Sequence, residues 1–178
     1  MHAEALDFLT MVRDQYPIPP GLILEYGGRN INGSARPLFE DALHPYISID
    51  IADGAGVDVV ADALAYDPSE PPVAIICTEV LEHTADAGQI CRRALSILQP
   101  DGLLVITAAG SGRAPHSAVD GGPLRAGEFF QTLNRQGLET WLTRNDSGEP
   151  VDITSHLIIE NTKSCDVYAV IRKAGEAA

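Results

Sequence analysis

Residues 22–28 read LILEYGG, an apolar run of strand length with an acid one residue before its end, followed by two glycines. An apolar run without alternation belongs in a sheet covered on both faces. Glycines directly after it let the backbone turn sharply and approach a ligand closely. Outward from this unit, similar runs recur at 46–51 (YISIDI), 57–61 (VDVVA), 73–78 (VAIICT) and 103–109 (LLVITAA). Helical spacing fills much of the remainder. Ala3–Tyr16 carries Leu6, Leu9 and Val12 and stops at Pro17, Pro19 and Pro20. Ser34–Leu43 tolerates Pro37 near its start, and Asp86–Leu98 repeats Ile90, Ala94 and Leu98 with Cys91 and Leu95 beside them. Ala126–Gln136 carries Phe129, Phe130 and Leu133 and is closed by Gly137 as a C-cap. Leu138–Arg144 and Val167–Arg172 read as strands, with Trp141 and Tyr168 in the core. Strands alternating with helices specify an α/β domain, a mainly parallel sheet between two helical layers. One connection resists that scheme: only about six residues join the second and third strands, where a parallel crossover needs roughly a dozen. Either its helix is lost to a tight loop, or the third strand is an edge strand set differently. Residues 145–165 stay open between a hairpin, a lid and an interface.

The chain has 178 residues, enough for one domain with a proper core. Its formal charge of −13, from 25 acidic against 12 basic residues, repels polyanions, so nucleic acid is an unfavoured partner. No apolar run approaches the ~20 residues that a membrane span needs. The N-terminal residues lack the basic and apolar regions of a secretory signal. Cys77, Cys91 and Cys165 are odd in number and widely spaced, as expected for reduced thiols in a cytoplasmic protein. A small neutral or cationic molecule fits the charge best, and a homodimer is compatible with it.

In an open parallel sheet a ligand sits at the carboxyl ends of the strands, where strand order reverses. Four consecutive strands here end in an acid: Glu25, Asp50, Asp62 and Glu79. Gly27 and Gly28 bring amide N–H groups toward an anionic group. Asp50, about 20 residues on, suits two ribose hydroxyls. Asp62, next to Ala63, suits an exocyclic amine. A dinucleotide fingerprint would need GxGxxG, but starting from Gly27 the second and third glycine positions hold Arg29 and Asn32.

The stretches ILEYGGRN, SIDI, VVADA, CTEVLEHT and LQPDGLLVITAA resemble the motif series of class I S-adenosylmethionine-dependent methyltransferases, over residues 20–110. The resemblance implies a Rossmann-like three-layer αβα sandwich with an antiparallel C-terminal strand. It implies one domain over 1–178: an N-terminal helix and linker (1–20), a cofactor-binding half (21–110) and a substrate-side half (111–178). S-adenosylmethionine is the implied cofactor. Glu25, Gly27 and the backbone of Gly28, Arg29 and Asn30 would hold its methionine part. Asp50 would hold the ribose, Ile51 and Ala63 would pack on adenine, Asp62 would accept from its amine, and Glu79 and Val80 would line the site. The sequence departs from the family pattern in its glycine turn: Arg29 replaces the second alternate glycine, Gly28 comes one place early and Gly33 late. Arg29 or Arg36 is then placed to answer the cofactor's carboxylate directly.

Glu82-His83 follows the fourth strand, and His116 lies in the long loop Gly110–Pro123 on the substrate side. His83 and His116 are the candidate catalytic bases, against the plain reading of His83 as a helix-start residue. His44 and His156 show no ligand spacing and no HxxxH pair exists, so no metal site is expected. Glu79, Glu82 and His83 could hold a cation, although polar residues at a helix start are ordinarily solvated. The resulting expectation is methyl transfer to a small-molecule acceptor. The alternative is a non-catalytic module that binds S-adenosylmethionine or S-adenosylhomocysteine within a larger assembly.

Overall fold

The computed structural model describes residues 2–145 and 147–175. Seven strands form one sheet in the order β3-β2-β1-β4-β5-β7-β6. They are β1 Ile23–Tyr26, β2 Tyr46–Asp50, β3 Val59–Val60, β4 Ala74–Thr78, β5 Leu103–Ala109, β6 Ile153–Asn161 and β7 Asp166–Lys173. The first five are parallel, and β7 inserts antiparallel between β5 and β6. The expected three-layer α/β sandwich with an antiparallel C-terminal strand is therefore the fold.

Alternation along the buried strands sorts their side chains into two layers. On one face Ile23, Ile76, Val105 and Val170 meet helix α1 (Ala3–Gln15) through Phe8, Leu9 and Val12. On the other, Leu24, Ile75, Ile106 and Ala169 meet α3 (Ala87–Ile97) and α4 (Arg135–Thr143). The apolar run 103–109 is buried at every position because both faces are covered.

The second and third strands are joined by a helix-free loop, 51–58, and β3 is a two-residue edge strand rather than Val57–Ala61. So short a parallel connection survives because a side chain substitutes for backbone. The Ser48 amide donates to the Asp58 carboxylate at 2.8 Å, and the Asp58 amide returns a bond to the Ser48 carbonyl at 2.9 Å. Helix α2 is also shorter than the expected Ser34–Leu43, a single turn at Arg36–Phe39. Asp41 accepts from the amides of Leu43 and His44, a local turn that competes with helix.

Residues 126–144 invert the sequence reading. The helix expected over Ala126–Gln136 is absent up to residue 134, and Leu138–Arg144 is not a strand; the helix is α4, which starts at Arg135, so Trp141 is helical and half-buried. Gly127 sits at φ +89°, and Phe130 packs on His83 and His116 rather than on a helix face. Gly137 lies in the first turn of α4, where its amide donates to the side chain of the N-cap Asn134 at 2.8 Å. The β5–α4 connection thus runs the whole way from Gly110 to Asn134. Residues 153–161 pair with β7 as a hairpin strand. No helix among the described residues is long and apolar enough to cross a membrane.

Asn134→Ala removes that cap and should lower stability by about 1 kcal/mol, read as a shifted urea midpoint with unchanged slope.

Candidate functional site

Strand order reverses between β1 and β4, and a cavity of about 1000 Å3 opens at that point. This is the upper end of the small-ligand range, which leaves room for two molecules side by side. Gly27 ends β1 at φ +77°, and a Cβ there would lie 2.2 Å from Cγ2 of Val80. Only a bare backbone lets the ends of β1 and β4 come this close. Glu79, before Val80, is held at φ +56°, a left-handed conformation that a side chain adopts only where its surroundings impose it. Its amide donates to the Thr107 carbonyl at 2.8 Å, and its carboxylate accepts from the Thr107 hydroxyl at 2.9 Å. β5 thereby fixes the turn that ends β4.

Of the expected cofactor residues, Gly27, Arg29, Asp50, Ile51, Asp62, Ala63, Glu79 and Val80 line the cavity. Asp50 accepts from the amides of Arg29 (3.3 Å) and Ala52 (2.9 Å), which fixes its carboxylate at the wall. Asp62 accepts from the Leu64 amide at 2.9 Å. Ile51 is 79 % exposed at the rim, an apolar side chain left open for a ring to cover.

Glu25, Gly28 and Asn30 do not line the cavity. The Glu25 side chain is buried on the α1/α2 face beside Ser48 and Tyr46, and burial raises its pKa while those hydroxyls oppose the rise. A Cβ on Gly28 would sit 1.3 Å from the Ser48 hydroxyl, so this glycine is demanded by packing. The Asn30 amide is occupied by the Ala55 carbonyl at 2.7 Å.

The two arginines also differ from expectation. The Arg29 guanidinium donates to the Ala118 carbonyl at 2.6 Å and ties the long loop down over the cavity. Arg36 is absent from the lining: it pairs with Asp58 and Glu40 and lies over the Tyr46 ring.

The opposite end of the cavity is aromatic and titratable. His83 and His116 both line it, with ring centroids 5.0 Å apart, and Phe130 packs on both. Burial, then the neighbouring His116, pushes the His83 pKa down to about 4, so its ring is neutral at physiological pH. Glu82 is fully buried beneath them; one oxygen accepts from the Ala109 amide at 3.1 Å. Its pKa is raised by burial and then by the Glu79 charge. Sequence reasoning missed Thr107 and Asp166. Arg113 lines the cavity and pairs with the buried Asp166 at 3.2 Å, and His2 meets the other oxygen of that carboxylate at 2.8 Å. Thr107 was visible as the one hydroxyl in LLVITAA, whereas Asp166 carried no signal until β7 was paired.

A family model described as Methyltransferase domain matches residues 3–146. The chain belongs to that family. No curated protein matches this methyltransferase-family sequence. Among solved structures it is similar to the 1,6-didemethyltoxoflavin-N1-methyltransferase of Burkholderia thailandensis, whose structure holds 1,6-didemethyltoxoflavin and S-adenosylhomocysteine. Identity is 13 %, the TM-score is 0.64, and the match covers 96 % of this chain and 78 % of that one. The N-methyltransferase NodS of Bradyrhizobium japonicum WM9, in complex with S-adenosyl-L-homocysteine, is 15 % identical with a TM-score of 0.61, covering 96 % and 86 %. The [4+2]-cyclase SpnF shares the fold at 14 % identity and a TM-score of 0.62, covering 97 % and 83 %. At these identities the likeness is one of fold.

Gly27→Ala and Gly127→Ala separate conformational strain from contact. Both impose a left-handed alanine, costing about 1–2 kcal/mol, but only Gly27 has a neighbour where the Cβ would go. In urea denaturation Gly27→Ala should be the less stable variant by at least about another 1 kcal/mol. Equal losses would mean Val80 yields freely.

Proposed function

We propose that this methyltransferase-family chain binds S-adenosylmethionine in the cavity between β1 and β4 and methylates a small-molecule acceptor. The observation that carries the reading is the convergence of Asp50, Asp62 and Glu79 on one cavity beside the close contact of Gly27 and Val80. A cofactor with a sulfonium and an ammonium is drawn to such a wall by Coulomb attraction. In this reading Asp50 accepts from the ribose hydroxyls and Asp62 from the adenine amine. Ile51 and Ala63 cover the faces of the ring. Glu79 and Val80 border the methionine part. Glu25, Gly28 and Asn30 act from beneath, by shaping the turn rather than by contact. Bound there, the cofactor supplies an activated methyl group.

The acceptor takes the other end of the cavity, against His83 and His116, on which Phe130 packs. In-line alignment and exclusion of water then provide most of the acceleration. The bond from Arg29 to Ala118 closes the long loop over both ligands. His116, on that loop, and neutral His83 are the groups nearest the acceptor's departing proton. The single domain divides accordingly into a cofactor half (21–110) and an acceptor half (111–178).

Isothermal titration with S-adenosylmethionine and S-adenosylhomocysteine tests the reading, with NAD as the negative control. Wild-type protein should bind both, and Asp50→Ala should lose at least tenfold in affinity, about 1.4 kcal/mol, while its circular dichroism and melting temperature stay near wild type. Unchanged affinity in a folded Asp50→Ala overturns the assignment. Transfer of a labelled methyl group into a metabolite mixture separates an enzyme from a binding module.

A further inference from the structure

We propose that Glu82, His83 and His116 form a site for one divalent first-row transition-metal ion, of the zinc kind, at the acceptor end of the cavity. The cation would present an oxygen nucleophile, a phenol or alcohol, to the methyl group. One ligand atom from each of these side chains lies within 4.8 Å of the others. Tetrahedral ligands bound at about 2.0–2.2 Å stand about 3.3–3.6 Å apart, so closure needs a movement of up to about 1.5 Å. His116 can supply it, because it sits on a loop at the surface end of the cavity.

Three observations point to a ligand rather than to a chance cluster. The first is Glu82. Its side chain is wholly buried, and its Oε2 has no hydrogen-bond partner among the described residues. A carboxylate oxygen in that state costs free energy unless a proton or a cation meets it. The second is the tautomer of His116. Its Nδ1 lies 3.1 Å from the Ala114 carbonyl, which can only accept, so in the neutral ring Nδ1 carries the proton and Nε2 presents a free lone pair, the arrangement that metal-bound histidines use. The third is His83, whose Nδ1 is buried and likewise without a partner among the described residues.

The support beneath the site is rigid. The Gln131 side chain donates to the Leu81 (3.1 Å) and Thr84 (2.8 Å) carbonyls on either side of Glu82-His83, and its amide donates to the Glu82 carbonyl at 2.8 Å. Two imidazoles and one carboxylate make a donor set suited to zinc or its first-row neighbours, whereas magnesium and calcium prefer oxygen alone. Three protein ligands leave a position open toward the cavity. The second cluster of this kind, His2, Glu79 and Asp166, carries no such argument, because Arg113 already neutralises Asp166.

This inference deepens the proposed function and rests on it for the direction of transfer. With their lone pairs on the cation, His83 and His116 do not take the acceptor's proton; an acceptor hydroxyl bound to the cation becomes more acidic and releases that proton to water. A lone pair of the oxygen forms the new C–O bond as the S–C bond breaks, and that bond's electron pair stays on sulfur as the thioether. The products are a methyl ether, S-adenosylhomocysteine and one proton.

Untagged protein, stripped with a chelator, is dialysed against Zn2+ or Co2+ without S-adenosylmethionine, and retained metal and the visible absorption of bound Co2+ are measured. Wild-type protein should retain about one equivalent and show a Co2+ spectrum with nitrogen ligation. His83→Ala and His116→Ala should each weaken binding at least tenfold, while His156→Ala, on β6, should not. Mg2+ should fail to compete. No retained ion, or retention unchanged in both cavity variants, overturns the proposal, with circular dichroism confirming that the variants are folded. S-adenosylmethionine titration of the wild type is read separately. Wild-type protein that binds the cofactor but retains no added Zn2+ or Co2+ sinks only this inference, and Co2+ binding without cofactor affinity sinks only the function above.

Discussion

The contact between Gly27 and Val80 closes the gap where β1 and β4 part company, and most of the site depends on it. A parallel sheet whose strand order reverses leaves a crevice at its carboxyl edge. The width of that crevice is set by how nearly the two strand ends can approach. The missing Cβ of Gly27 admits Val80, and the left-handed Glu79 turns the chain so that Val80 can be there. Thr107 holds Glu79 from the next strand by both backbone and hydroxyl. The wall that carries Asp50, Asp62 and Glu79 thus runs along the ends of four adjacent strands, β3-β2-β1-β4.

The loss of one helix and the shortening of another have consequences for the same wall. With α2 cut to one turn and no helix between β2 and β3, loops that would ordinarily diverge pack on each other. The Asn30 amide bonds to the Ala55 carbonyl, Gly56 lies against the Gly28 carbonyl, and Gly54 lies against the Arg29 side chain. Asp58 completes the backbone ladder from a side chain and pairs with Arg36. Arg29 is thereby directed across to Ala118 and joins the cofactor half to the long loop. The compact form of this fold replaces helical cover with a network of short polar contacts.

Much of this was legible in the chain. The runs LILEY, YISIDI, VAIICT and LLVITAA predict strands because burial on both faces favours apolar residues, and each forms within about a residue of its expected ends. The acids after β2, β3 and β4 reach the cavity because a parallel strand can direct its last residues only toward its carboxyl edge. Glu25 fails the same inference for a reason of parity. It lies one residue before the strand end, and its side chain points to the α1/α2 face, where Ser48 and Tyr46 receive it. Phe129, Phe130 and Leu133 mimic a helix face by spacing alone. Phe130 packs on two histidines, and Leu133 bridges to Gly110, contacts that local periodicity does not encode.

By itself, the sequence determined what depends on near neighbours: which segments are buried strands, where the chain turns, and which acids stand at strand ends. Only the tertiary structure decided which polar groups meet. Glu82 and His83 are adjacent in sequence, but His116 comes to them from a loop 33 residues on. Arg113 reaches Asp166 across 53 residues, and Arg29 reaches Ala118 across 89. Such encounters follow from the order in which strands pair, and pairing order is set by the packing of the whole sheet rather than by any window of residues.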